Sequence, residues 1–179
     1  MVEYLSLLIH DVPYDVCLLL LAILCISTLL LISYLGVRNG SRYVMAIMLV
    51  EYVFLLFCST VLFREDYGKG QYNYLPFWSY VEIYYGDKLL LPQIIMNVMV
   101  FIPVGFLLSA FANSMRWWKV MLTGFMISSS IEVMQFLFRR GFSELDDIFH
   151  NTIGCLIGLI LWAIVKKCID NDGREKLHV

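Results

Sequence analysis

The residues of this sequence that could do chemistry are polar side chains placed inside long apolar segments or at their ends. Charged and amide groups are costly in a lipid bilayer, so they are usually paired or functional. They are Glu51, Asn97, Glu132, Gln135, Arg139, Asp147 and Asn151. Most fall near the outer ends of their segments, whereas Glu51 falls about halfway along one. Ionisable groups gathered at one depth shift one another's pKa and can bind a polar ligand.

Helical periodicity places most of these residues on two faces. At about 100° per residue, a narrow arc of one helix carries Ser128, Glu132, Gln135 and Arg139. One face of the next helix carries Asp147, Asn151, Gly154 and Gly158. Glycines with this spacing permit close approach between helices. We expect the two polar faces to meet and to form a site that binds a polar ligand.

Several of these residues also have a purely structural interpretation. Glycine tolerates the left-handed conformation beyond a helix end, so Gly141 is expected to terminate the first of these two helices. Ser143 and Asp146 have the spacing of a capping box that opens the second. On this interpretation Glu132 pairs with Arg139.

Three residues of the other spans remain. The amide of Asn97 is expected to seek a partner on another span, either Glu132 or Gln135. Pro103 removes a backbone hydrogen bond and is expected to kink its helix for packing. Glu51 is expected to be protonated and hydrogen-bonded, or to face a wet cavity.

The sequence indicates neither a metal site nor a cofactor. His150 lies close to Asp146 and Asp147, but this spacing matches no helical zinc pair. Nucleophile elbows, Gly-rich phosphate loops and CxxC pairs are also missing from the sequence. No catalytic residue can therefore be assigned, and an enzymatic role is not the favoured interpretation.

The composition of the chain indicates the environment in which these residues are placed. Hydrophobic residues make up 60% of the 179 residues and charged residues only 16%, against about 25% in soluble domains. A net charge of −2 leaves no basic stripe for nucleic acid. The composition predicts a protein that lies in a lipid bilayer.

Apolar runs of about 20 residues predict membrane-spanning helices. They lie at 16–36, 43–63, 93–112, 118–138 and 148–165. The segment between the second and third is rich in Tyr and Trp, which favour the headgroup layer. The fold class is thus an all-α membrane protein with about five transmembrane helices, an aromatic interfacial segment, and a single membrane domain over residues 1–179.

Orientation follows from the flanking Lys and Arg residues. Eight of them lie on the side of the C-terminus and five on the other. The positive-inside rule then predicts an N-terminus outside and a C-terminus in the cytoplasm.

A set of short motifs occurs in a fixed order between residues 73 and 161. Its positions are Asn73, Pro76, Phe77, Asn97, Phe101, Pro103, Gly105, Glu132, Gln135, Asp147, Asn151 and Gly154. This ordered set resembles the VanZ-like family of small bacterial membrane proteins. The resemblance implies a multi-pass protein of the bacterial cytoplasmic membrane. It also implies a link to resistance against the glycopeptide teicoplanin without remodelling of the peptidoglycan precursor.

Three functions are compatible with these features. The favoured one is a non-enzymatic protein whose outer polar pocket binds or shields an envelope lipid, a lipid-linked precursor or a glycopeptide. The second is an enzyme acting on an envelope lipid, with Glu132 or Asp147 as general base and Arg139 holding an anionic headgroup. The third is a small transporter that uses Glu51 in a relay. The oligomeric state is left open by the sequence.

Overall fold

The computed structural model describes residue 26 and residues 37–64, 68–112 and 116–175. The predicted first span, 16–36, lies outside the described residues except for Ile26, which is helical. The four other predicted spans are all present as long helices. The prediction of a helical membrane protein is therefore confirmed, and within the described ranges four helices are long and apolar enough to cross a bilayer.

These four helices are α1, α3, α4 and α5. Helix α1 covers Val37–Phe57 and continues as a π-helical segment, Cys58–Leu62. Helix α3 covers Leu90–Ala112, α4 covers Trp117–Phe138, and α5 covers Leu145–Glu175. Helix α3 contains Pro103 and remains helical on both sides of it. Helix α5 starts before the predicted span 148–165 and ends ten residues after it.

The predicted interfacial segment forms a short strand and a short helix. Strand β1 covers Gln71–Asn73, and helix α2 covers Trp78–Tyr85. The rings of Tyr84 and Tyr85 are 85% and 78% exposed, as expected for side chains that lie among lipid headgroups.

Strand β1 pairs in parallel with strand β2, Phe142–Glu144, which joins α4 to α5. In this register Tyr72 lies opposite Ser143, and Asn73 lies opposite Glu144. The expectation of an all-helical chain is thus corrected at one point. Side-chain patterns along the helices carry no information about this pairing, because its two strands are far apart in sequence.

The turn after α4 also differs from expectation. The left-handed residue at the end of this helix is Arg139, with φ of 60°, and not Gly141. Gly141 follows with φ of 87°, and a Cβ there would lie 2.8 Å from a guanidinium nitrogen of Arg64. Glycine is therefore needed at residue 141 to make the corner into β2, not to end the helix.

The core is formed where α3 and α5 pack closely. Buried side chains from α1, α3, α4 and α5 surround this contact, including Leu56, Phe101, Val104, Val120, Ile131 and Cys155. A Cβ at Gly154 or Gly158 would overlap the backbone of α3, and a Cβ at Gly105 would overlap the backbone of Cys155. The predicted close approach at Gly154 and Gly158 is confirmed, but its partner is α3 and not α4.

Candidate functional site

Four carboxylates gather where α4 ends and α5 begins, and we call them the carboxylate cluster. They are Glu132, Glu144, Asp146 and Asp147. Glu132 is 4% exposed, Glu144 5% and Asp146 2%. Glu132 comes from the penultimate turns of α4, whereas the other three come from the β2–α5 corner.

Glu132 and Glu144 are in direct contact. The backbone N–H of Glu144 donates a hydrogen bond of 2.8 Å to Oε2 of Glu132. The Gln93 amide donates to both carboxylate oxygens of Glu144 at 3.4 and 3.5 Å. Burial raises the pKa of Glu144 above its ordinary value of 4.5, and the Gln93 bond opposes this rise. The negative charge of Asp146 raises this pKa further.

Asp147 binds Asn97 across α3 and α5. The Asn97 amide donates a 2.6 Å hydrogen bond to Oδ1 of Asp147. The prediction that Asn97 would bind Glu132 or Gln135 is therefore wrong. The first turn of α5 lies beside the first turns of α3, because the close glycine contact described above sets the register of these two helices.

Asp146 holds the start of helix α2. Its carboxylate accepts the N–H of Phe77 at 2.6 Å, the N–H of Ser79 at 3.0 Å, and the Ser79 hydroxyl. Carboxylates are favoured at helix N-termini, where backbone N–H groups lack partners. The predicted capping box at the start of α5 is therefore wrong. Asp146 caps α2 instead, and Ser143 lies in β2 near the hydroxyl of Tyr74.

Phe77 itself has a strained backbone. Its φ is 62°, a left-handed conformation that is unfavourable for an aromatic residue. The bond from its N–H to Asp146 helps to hold it there. Asn73 stabilises the same turn, since its side chain accepts the N–H of Leu75 at 3.1 Å.

The remaining predicted polar residues make contacts inside the helix bundle. The Asn151 amide donates to the Ser128 hydroxyl at 2.8 Å, so the polar faces of α4 and α5 do meet. The Gln135 amide donates to the Thr60 carbonyl at 3.0 Å, while its own oxygen is buried without a hydrogen-bond partner among the described residues.

Arg139 is not part of the carboxylate cluster. Its side chain is exposed and donates a 3.4 Å hydrogen bond to the Gly68 carbonyl. The predicted pair between Glu132 and Arg139 is therefore wrong. Glu51 is also separate from the carboxylate cluster. It lies about 15 Å along α1 from the end of the π-helical segment.

Four residues near the carboxylate cluster were not assigned a role from the sequence. Glu144 belongs to the cluster, and Arg64 lies close enough to lower its pKa. Arg140 is buried and donates to the Leu62 carbonyl. His150 is 1% exposed and bonds through Nε2 to the Tyr80 hydroxyl at 2.8 Å. Sequence signals existed for two of them: Glu144 directly follows Ser143, the predicted N-cap, and His150 lies close to Asp146 and Asp147.

An apolar groove opens beside the carboxylate cluster. Its volume is about 280 Å³. Its wall is formed by Pro76 and Phe77 of the turn before α2, Phe125 of α4, and the outer face of the first turns of α5, with Leu145, Ile148, Phe149 and Thr152. Asp146 also lines the groove, so it belongs to both the groove and the cluster. Apolar and acidic surfaces are therefore adjacent.

Several residues of the motif set are structural. Phe101 is 2% exposed in the core, and Gly105 and Gly154 permit the contact between α3 and α5. Among the described residues, no group of three or more His, Cys, Asp or Glu is arranged to hold a metal ion.

Comparison with known proteins gives two matches. A family model described as VanZ/LLP1 matches residues 43–166. Protein VanZ of Enterococcus faecium is 30% identical over 142 residues, covering 78% of this chain and 83% of that protein. No solved structure matches. The family match begins well before residue 73, so it includes the second predicted span, where the sequence showed no motif.

Proposed function

Because the chain belongs to the VanZ-like family, we propose that it is a non-enzymatic protein of the bacterial cell envelope that binds or shields an amphiphilic envelope component. The site is the carboxylate cluster together with the adjacent apolar groove. We place the protein in the cytoplasmic membrane, with this site at the outer face and the C-terminus in the cytoplasm.

The observation that carries this proposal is the adjacency of the two surfaces. The groove of about 280 Å³ is lined almost entirely by apolar side chains, which suits an acyl or isoprenoid chain. The cluster gathers four carboxylates, two of which accept the Gln93 and Asn97 amides, and carboxylates suit the hydroxyl and ammonium donors of a polar headgroup. A lipid-linked precursor or an acylated glycopeptide has both parts in one molecule.

One feature beside the cluster supports binding in place of a purely structural role. Gln135 has a buried oxygen without a partner in the described part of the chain, and such an acceptor is unfavourable unless a ligand or water satisfies it. Asp147 is less buried than the other three acids of the cluster, and its Oδ1 accepts the Asn97 amide at 2.6 Å.

The proposal is tested by growth inhibition in a Gram-positive host. Cells carry empty vector, wild type, Glu132→Gln, Asp147→Asn or the control Glu82→Gln, an exposed acid on α2. Teicoplanin has an acyl chain and vancomycin lacks one, so we expect wild type and Glu82→Gln to protect against teicoplanin selectively. Both cluster variants are expected to lose this protection at equal membrane level. Protection against teicoplanin that is retained in both cluster variants would contradict the proposal.

A membrane enzyme acting on an envelope lipid is the second candidate. It is favoured by one observation, since Glu132 and Asp147 belong to the same cluster of acids and either could act as a general base. Arg139 does not support it, because its guanidinium bonds to the Gly68 carbonyl. Lipid extracts of cells with and without the protein separate the candidates: a new or depleted lipid means catalysis, and identical extracts favour binding.

A further inference from the structure

We propose a second binding site at the opposite end of the helix bundle, which holds the phosphate headgroup of an anionic phospholipid. The site is a pocket of about 250 Å³ between α1, α3 and α5. It is separate from the carboxylate cluster, and its existence does not depend on the function proposed for that cluster.

The pocket lies at the other face of the bilayer. Helix α5 contributes Asp147 to the carboxylate cluster and Lys166 to the pocket, and these positions are separated by about 28 Å along a helix. The hydrocarbon core of a bilayer is about 30 Å thick. Arg42 near the start of α1 and Ala110 near the end of α3 lie at the same end as Lys166. The pocket is therefore at headgroup depth.

The chemistry of the lining suits a phosphodiester with its lipid attached. Arg42 and Lys166 supply two positive charges, and Asp170 supplies one negative charge. The net charge matches a singly charged headgroup, and arginine and lysine are the usual ligands of phosphate in proteins. Basic pockets between membrane helices are also recognised sites for anionic headgroups.

The apolar part of the lining favours a lipid over a free phosphate ion. Met45, Ala110 and Ile169 also line the pocket. Trp162 forms another wall, and its ring is held edge-to-face against Phe106 at a centroid distance of 5.5 Å. A free phosphate would leave this apolar surface uncovered, whereas the glycerol and upper acyl carbons of a phospholipid would cover it.

The test measures retention of a fluorescent phosphatidylglycerol by the full chain in a nonionic detergent, where no charged bilayer surface contributes. The test variant is Arg42→Gln/Lys166→Gln. Its matched control, Arg116→Gln/Lys119→Gln, removes two exposed positive charges at the start of α4, which lies at the same end of the bundle. We expect about thirty-fold weaker binding for the test variant and less than about two-fold for the control.

Three unlabelled competitors identify the ligand. Unlabelled phosphatidylglycerol is expected to displace the probe at much lower concentration than phosphatidylcholine or soluble glycerol phosphate. Equal losses for the two double variants would overturn the proposal, because binding would then reflect diffuse charge. Displacement by glycerol phosphate as effective as that by phosphatidylglycerol would also overturn it, because the site would then be one for free phosphate esters. Loss of teicoplanin protection tests the carboxylate cluster alone, so the two proposals fail separately.

Discussion

Gly105 and Gly124 pack against the same residue, Cys155, but alanine at each position is expected to destabilise the protein for a different reason. A Cβ on Gly105 would overlap the backbone of Cys155, whereas a Cβ on Gly124 would overlap the Cys155 side chain. Cys155 is completely buried, so neither overlap can be relieved by a rotation toward solvent. Removing the thiol should therefore relieve the closer contact at Gly124, which is to Sγ at 2.4 Å, and leave only the Cβ of residue 155 at 2.9 Å. It should not relieve the clash at Gly105, which is with backbone atoms.

The magnitude follows from two opposing effects. Replacing glycine by alanine inside a helix stabilises it by about 0.5–1 kcal/mol. Overpacking in a close-packed core costs about 1–3 kcal/mol, and more where a backbone must move. Each alanine variant is therefore expected to lower the free energy of unfolding by about 1–2 kcal/mol. The backbone clash at Gly105 is expected to be the more costly, because α3 and α5 must separate.

A double-mutant cycle with Cys155→Ala measures the difference. The loss of unfolding free energy in Gly124→Ala/Cys155→Ala should be smaller than the sum of the losses in its two single variants by about 1–2 kcal/mol. In Gly105→Ala/Cys155→Ala the two losses should add within about 0.5 kcal/mol. The assay is equilibrium unfolding in mixed micelles followed by tryptophan fluorescence. If Cys155→Ala rescued both glycine variants equally, or if Gly105→Ala were as stable as wild type, the described packing of α3 against α5 would be incorrect.

Two further predictions concern the segment over the carboxylate cluster. Asp146→Ala leaves the N–H groups of Phe77 and Ser79 without their acceptor, so we expect α2 to open with a loss of about 2–4 kcal/mol in local stability; unchanged hydrogen exchange in α2 would contradict this. Glu144 has a pKa raised by burial, so its ionisation destabilises the fold as pH rises from about its ordinary value of 4.5 through the raised one; Glu144→Gln should flatten the fall in melting temperature with pH, and Glu82→Gln should not.

The spans were largely predictable, because they follow from local properties of the chain. Of the carboxylate cluster, the sequence singled out Glu132 and Asp147 as site residues and missed Glu144. A run of apolar residues long enough to cross a bilayer becomes a helix whatever its neighbours are, since its backbone must satisfy its own hydrogen bonds in lipid. The resemblance to the VanZ-like family is confirmed by the family match over residues 43–166 and by a relative that is 30% identical. Helical periodicity also placed Ser128 and Asn151 on facing sides of α4 and α5, and they bind each other.

The pairing of the polar groups was not predictable, because it depends on how the helices rotate and slide against one another. Asn97 binds Asp147 because the glycines of α5 pack on α3, which aligns the first turns of these helices. The predicted partners of Asn97 lie on α4 instead. Periodicity identifies the face that a residue occupies, but it does not say which neighbouring helix that face meets.

The corner between α4 and α5 shows the same limit. The sequence by itself determined that a polar turn lies there with acids at the start of the next helix. Only the tertiary structure decided that Asp146 holds α2 and that β2 pairs with β1, because both depend on the return of a segment more than sixty residues earlier in the chain. Such contacts form when a long loop orders against the helix bundle. The free energy of this ordering depends on residues that are far apart in the chain, so it cannot be inferred from a short stretch of sequence.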